Sequence, residues 1–108
     1  MIYALLLFDR EGAAELRQRV RPEHKDYLAK VADRIAFAGP LLAEDGVTMI
    51  GSLLAIDFAD RSAANAWLAG EPFTRAGLYA RSEIHPFANL WPQRAGFPPE
   101  TDTARRRR

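Results

Sequence analysis

Apolar residues run almost unbroken from Ile2 to Phe8, a stretch rich in strand formers. It predicts a central β-strand buried on both faces or nearly so. From Ala13 to Val20 the chain is more polar, with Leu16 and Val20 four apart, and reads as a short helical or irregular connection. Pro22 then reads as the first residue of a helix, where its fixed φ and missing N–H cost nothing. His24, Tyr27, Leu28, Val31 and Ile35 follow at three- and four-residue spacing, while Glu23, Lys25, Asp26, Lys30, Asp33 and Arg34 fall elsewhere. This is an amphipathic helix with His24 in its first turn, on the inward side.

Ala36 to Leu42 contains Gly39-Pro40, which predicts a bend or an edge strand rather than a central one. Glu44-Asp45-Gly46 is turn chemistry, and Met49 to Phe58 returns as a strand broken only by Gly51-Ser52. Asp60 or Ser62 caps a second helix with Ala63, Ala66 and Trp67 on one side, and Gly70 is placed to end it in the left-handed conformation. Glu71-Pro72 restarts a short helical turn, Tyr79 to Phe87 forms a last strand, and Asn89 to Trp91 lead away from it.

Four strands and two helices in βαββαβ order predict an α+β, ferredoxin-like fold, an antiparallel sheet with its helices on one face. Two crossovers are expected to set the first and third strands side by side and parallel, with the fourth antiparallel on the other side of the first. The face without helices needs cover. Because Ile2–Phe8 and Leu53–Phe58 are apolar on both faces, a homodimer packed sheet on sheet is the simplest solution.

The 108 residues, 48% hydrophobic and 27% charged, are read as one domain over 1–92 and a tail over 93–108. No apolar run approaches the roughly 20 residues that span a bilayer, so no membrane partner is expected. Ile2–Phe8 lacks the basic flank and cleavage site of a signal peptide. With no cysteine there are no disulfides, thiol nucleophiles or cysteine-ligated metals, and a cytoplasmic protein is the default. The net charge of +1 is uneven: residues 1–92 hold 10 basic and 12 acidic side chains, whereas the tail holds five arginines against Glu100 and Asp102. The domain is thus no basic nucleic-acid binder. The tail, ending in Arg105 to Arg108, reads as a flexible solubilising end, with weak contact to RNA, phosphate or a membrane surface as its alternative.

His24 at a helix start would be held neutral and able to accept a proton, since that end of a helix disfavours imidazolium and favours anions. The topology brings the segment at Glu71 to the same end of the sheet. A histidine oriented by a carboxylate is a common general base; the plainer alternative is a core histidine satisfied by backbone. Arg21 is either a fork donor for an anionic substrate or a surface residue. Ser52 either offers a hydroxyl to a pocket or satisfies backbone where Gly51 permits a bulge. Phe73, Tyr79 and Trp67 are core aromatics first and pocket walls second. His85 with His24 makes a poor metal case, having neither H-x-H nor H-E-x-x-H spacing, and the glycines form no phosphate loop. Neither metal nor nucleotide cofactor is expected.

Arg21-Pro22-Glu23-His24, Ala38-Gly39-Pro40, Gly51-Ser52, Ala66-Trp67, Glu71-Pro72-Phe73 with Ala76-Gly77-Leu78-Tyr79, and Pro86-Phe87 stand in an order and spacing that resembles the YciI-like (YCII-related) family over residues 1–91. The resemblance implies a dimeric α/β barrel of ferredoxin-like subunits, with a cleft built around a histidine and an aspartate. His24 falls on the family histidine. Glu71 falls where the family's Asp-Pro-aromatic motif has aspartate, a departure that displaces the carboxylate by one methylene. Arg21, Gly39, Pro40, Ser52 and Phe73 are the implied substrate-binding positions. The implied chemistry is cofactor-independent acid–base work, of lyase (dehydrochlorinase) or isomerase type, on a small aromatic or lactone-like anion. The alternative is a non-catalytic ligand-binding or interaction module on the same scaffold.

Overall fold

In a computed structural model, which describes residues 1–91, the first strand, β1 (Ile2–Asp9), buries every second side chain. Tyr3, Leu5 and Leu7 enter the core, while Ile2, Ala4, Leu6 and Phe8 are half-buried on the other side. Alternation of this kind belongs to a sheet covered on one face. The other strands are β2 (Ile35–Leu42), β3 (Met49–Asp57) and β4 (Tyr79–Phe87), and the sheet order is β2-β3-β1-β4. The fold is α+β and ferredoxin-like.

Every neighbouring pair of strands is antiparallel, which corrects the expected parallel pairing of the first and third strands. The helical crossover returns the chain parallel to β1, but the tight turn after β2 then reverses it. The strand that slots in beside β1 is the reversed one. That turn is held by Asp45 Oδ1, which accepts the Val47 and Thr48 N–H groups at 2.8 and 2.9 Å, and Gly46 supplies its positive φ of 71°. β2 is an edge strand, as Gly39-Pro40 required. Gly51 lies within β3 without breaking it, and a Cβ there would press on the Leu7 carbonyl of β1. Close backbone approach is one thing this glycine serves; the pairing with β2 also slips beside it, since Leu41 faces Gly51 and Leu42 faces Met49, leaving Ile50 as the extra residue.

The first helix, α1 (Ala14–Ala29), begins eight residues before Pro22 and contains it. A proline inside a helix removes one hydrogen bond and crowds the preceding turn. Here it sits on the exposed side while Arg17 and His24 anchor the turns around it. His24 is therefore the eleventh residue of sixteen, and the expected influence of a helix N-terminus on it does not apply. The helix stops at Ala29; a 3₁₀ turn (Ala32–Arg34) follows, and Ile35 opens β2 rather than extending the helical face.

Asp60, not Ser62, caps α2 (Arg61–Gly70), accepting the Ala63 N–H at 2.8 Å. Gly70 is not left-handed; it lies against the Tyr27 hydroxyl, 2.9 Å from where a Cβ would stand, and Tyr27 donates that hydroxyl to the Trp67 carbonyl at 2.9 Å. The left-handed residue is Gly77, with φ 75°, between α3 (Pro72–Arg75) and β4. Tyr3, Leu5, Leu7, Leu54, Ile56, Phe58, Ala64 and Leu68 form the core between sheet and helices.

The face without helices is apolar and partly open. Phe37 and Phe87, from the two edge strands, meet edge to face at 6.1 Å and stay 43% and 38% exposed. Among the described residues no helix is long and apolar enough to cross a membrane. The tail at 93–108, with Arg105 to Arg108, lies outside the described residues.

Candidate functional site

Glu71 closes α2 and caps α3, where its Oε2 accepts the Thr74 N–H at 3.1 Å. Pinned at that corner, the side chain is fully buried. Its other oxygen, Oε1, meets Nδ1 of His24, so the longer glutamate spans the distance to the histidine while still serving as a cap. The Phe73 ring stacks on His24, with centroids 4.1 Å apart and planes inclined by 19°. A buried carboxylate needs donors on its oxygens, and Glu71 takes them from the imidazole and from Thr74.

Two turns earlier on the same face of α1, Arg17 is buried as deeply. Its Nε and Nη2 donate to the two carboxylate oxygens of Asp9 at 2.6 and 3.0 Å, and Nη2 also donates to Ser52 Oγ at 2.9 Å. The guanidinium lies over the Phe73 ring, 4.6 Å from its centroid. Phe73 thus touches both buried pairs. Tyr79 points its hydroxyl at Ser52 Oγ, 3.5 Å away. Burial, and then the charge of Glu71, push the Tyr79 phenol well above its ordinary range. The same two causes raise Tyr27.

Between α1 and the β2–β3 strands lies a cavity of about 310 Å³, lined from the helix by Arg17, Arg21, His24, Lys25 and Leu28, and from the sheet by Ala38, Gly39, Pro40, Ser52 and Leu54. With Nδ1 engaged by Glu71, Nε2 of His24 has no hydrogen-bond partner among the described residues. Among the described residues no buried side-chain nitrogen or oxygen lacks a partner, so Nε2 is the nitrogen that accessible space reaches. Arg21 and Lys25 carry positive charge on the cavity wall with no carboxylate partner among the described residues.

His24, Arg21, Gly39, Pro40 and Ser52 therefore meet at one cavity, and Glu71 and Phe73 stand behind His24 rather than on the wall. Trp67 packs beside the core, tilted against Tyr27 at 5.0 Å. His85 is elsewhere, exposed on β4 with Glu83 at 3.1 Å. Among the described residues no group of three or more His, Cys, Asp and Glu could hold a metal ion. Sequence reasoning missed Arg17, Asp9 and Lys25. The signal for Arg17 was present: positions 17, 21, 24 and 28 share one face of a helix, and only the misplaced start at Pro22 hid it.

A ferredoxin-like α+β domain with a histidine and a buried carboxylate in contact beside a basic cavity is the class these features define. The chain belongs to the YCII-related domain family, whose model matches residues 1–88. Protein YciI of Escherichia coli O6:H1 strain CFT073 is 31% identical over 98 residues, covering 84% of this chain and all of that protein. An uncharacterized protein of Haemophilus influenzae is 30% identical over the same share of this chain. Among solved structures, 5-chloro-2-hydroxyhydroquinone dehydrochlorinase (TftG) of Burkholderia phenoliruptrix AC1100, in complex with 2,5-dihydroxybenzoquinone, is similar with a TM-score of 0.77 and 26% identity, covering 82% of this chain and 94% of that one.

Proposed function

We propose that this chain is a cytoplasmic, homodimeric, cofactor-independent acid–base enzyme acting on a small aromatic or lactone-like anion. The observation that carries the reading is the buried contact of His24 Nδ1 with Glu71, which leaves Nε2 to the cavity. Nδ1–H donates to the carboxylate, the tautomer is fixed, and the lone pair on Nε2 accepts a proton from the substrate. The imidazolium that forms is offset by Glu71, and Nε2–H then returns the proton as an acid. Arg21 and Lys25 draw an anionic group to the cavity, and Gly39 and Pro40 give it a flat wall. The likeness to a dehydrochlorinase that holds a dihydroxybenzoquinone supports ring compounds as the substrate class.

Ring-nitrogen NMR of His24 tests the pair without a substrate. The wild type is expected to show the Nδ1–H tautomer and Glu71→Leu, which offers no acceptor, to lose it; an unchanged tautomer in the variant sinks the reading. Binding of 2,5-dihydroxybenzoquinone, followed by calorimetry, tests the ligand class. The homodimer is supported by the apolar open face, where Phe37 and Phe87 remain 43% and 38% exposed. Sedimentation is expected to find a dimer in the wild type and a monomer in Leu53→Glu.

A further inference from the structure

Arg17 has five N–H donors and no acceptor. Three are spent, two on Asp9 and one on Ser52. The two on Nη1 have no partner among the described residues. Among the described residues no buried side-chain nitrogen lacks a partner, so Nη1 is the part of this side chain, only 5% exposed, that meets open space. Arg17 lines two cavities, the one it shares with His24 and a neighbouring one of about 230 Å³, and Arg21 is on the wall of both. Ser52 Oγ, which takes bonds from Arg17 and Tyr79, has its own hydrogen left to donate.

We propose that Arg17 is the oxyanion-binding group of this cavity, holding through Nη1 the oxygen of an enolisable carbonyl compound while His24 moves a proton at carbon. The proposal rests on the acid–base reading of His24 and Glu71 and names its substrate class. Asp9 already offsets the guanidinium, so the free arm suits an oxygen that gains charge during reaction. A full anion is better served by the unpaired Arg21 and Lys25. Two-point contact with Asp9 and the Phe73 ring beneath hold the donors in place before substrate arrives, the condition under which such groups stabilise a transition state most. His24 Nε2 takes a proton from the carbon next to the carbonyl, the C–H pair becomes a C=C bond, and the carbonyl π pair moves onto the oxygen held by Arg17. Where the carbonyl compound is β,γ-unsaturated the enolate extends over that double bond, and return of the proton from the imidazolium to the γ-carbon re-forms the C=O and leaves the C=C in conjugation with it, an isomerisation with no oxidant or reductant required.

The probe is para-nitrophenolate, a planar ring oxyanion, titrated into the full-length protein. In the wild type its visible band is expected to shift to shorter wavelength on binding, and the Arg17 guanidinium NMR signals to move. Arg17→Lys keeps a cation opposite Asp9 but has no second arm, and is expected to bind about tenfold more weakly, with the spectral shift lost. If that variant does not fold, the Arg17 signals of the wild type decide alone. No binding by the wild type, unmoved Arg17 signals, or equal affinity in a folded Arg17→Lys overturns the proposal. The ring-nitrogen test of His24 needs no ligand, so it stands or falls separately.

Discussion

Two carboxylate pairs are buried on one face of α1, and they are built for opposite ends. Asp9 and Arg17 meet at two points, and the guanidinium offers donors only. Glu71 and His24 meet at one point, and the imidazole keeps a second ring nitrogen that can accept as well as donate. The first pair is a fixed fork that orients a donor; the second orients a ring nitrogen toward the cavity. Phe73 touches both, stacked on His24 and lying under Arg17, so one ring sets the spacing between the group that holds and the group that reacts. Burial alone does not mark a reactive residue. What separates the pairs is whether the nitrogen left to the cavity can accept a hydrogen bond or only donate one.

The largest test of that contrast is Arg17→Met. It strands the Asp9 carboxylate, 7% exposed, and is expected to cost about 3–5 kcal/mol in urea unfolding. The double variant Asp9→Leu/Arg17→Met should recover most of the loss. His24→Ala should cost less, about 2 kcal/mol, because Glu71 keeps its Thr74 donor. Turnover of any identified substrate should nonetheless be abolished. Equal destabilisation by the two changes would erase the distinction.

Phe73→Leu removes the shared ring and is expected to cost about 1.5 kcal/mol. It should also weaken ligand binding with both carboxylate pairs still formed, which ring-nitrogen NMR of His24 checks. The smallest effect at neutral pH is that of Tyr79→Phe, under about 1 kcal/mol. Its signature is alkaline. The unfolded chain ionises this phenol near its ordinary 10.0 while the folded chain holds the proton to higher pH. The unfolded state therefore binds fewer protons, and the stability the phenol confers is fully present below that value and lost as pH rises beyond it. Unfolding followed against pH should show a shallower alkaline decline in Tyr79→Phe than in the wild type.

Strands were easier to read than helices. The last strand runs from Tyr79 to Phe87 as the pattern predicts, and the first and third differ from expectation by one residue at their ends. Short apolar runs bounded by turn residues are local properties that can be read without the rest of the chain. The first helix was misread because Pro22 is a strong local start signal, and here buried contacts at Arg17 and His24 override it. Gly70 was misread for the same reason, since a close approach to Tyr27 explains it better than a left-handed turn.

The order of elements, the ferredoxin-like class, the family and the residues His24, Glu71, Arg21 and Ser52 were all within reach of the sequence, because each rests on periodicity or on a short ordered motif. The direction of the third strand follows from the crossover and the turn that the sequence already shows, whereas the deep burial of Arg17 and its pairing with Asp9 were decided only in three dimensions. Nothing near Arg17 in sequence tells whether a guanidinium will meet water or a carboxylate from the end of another strand. Desolvation makes such a charge tolerable only when its partner is already in place, and that partner is supplied by packing, not by pattern.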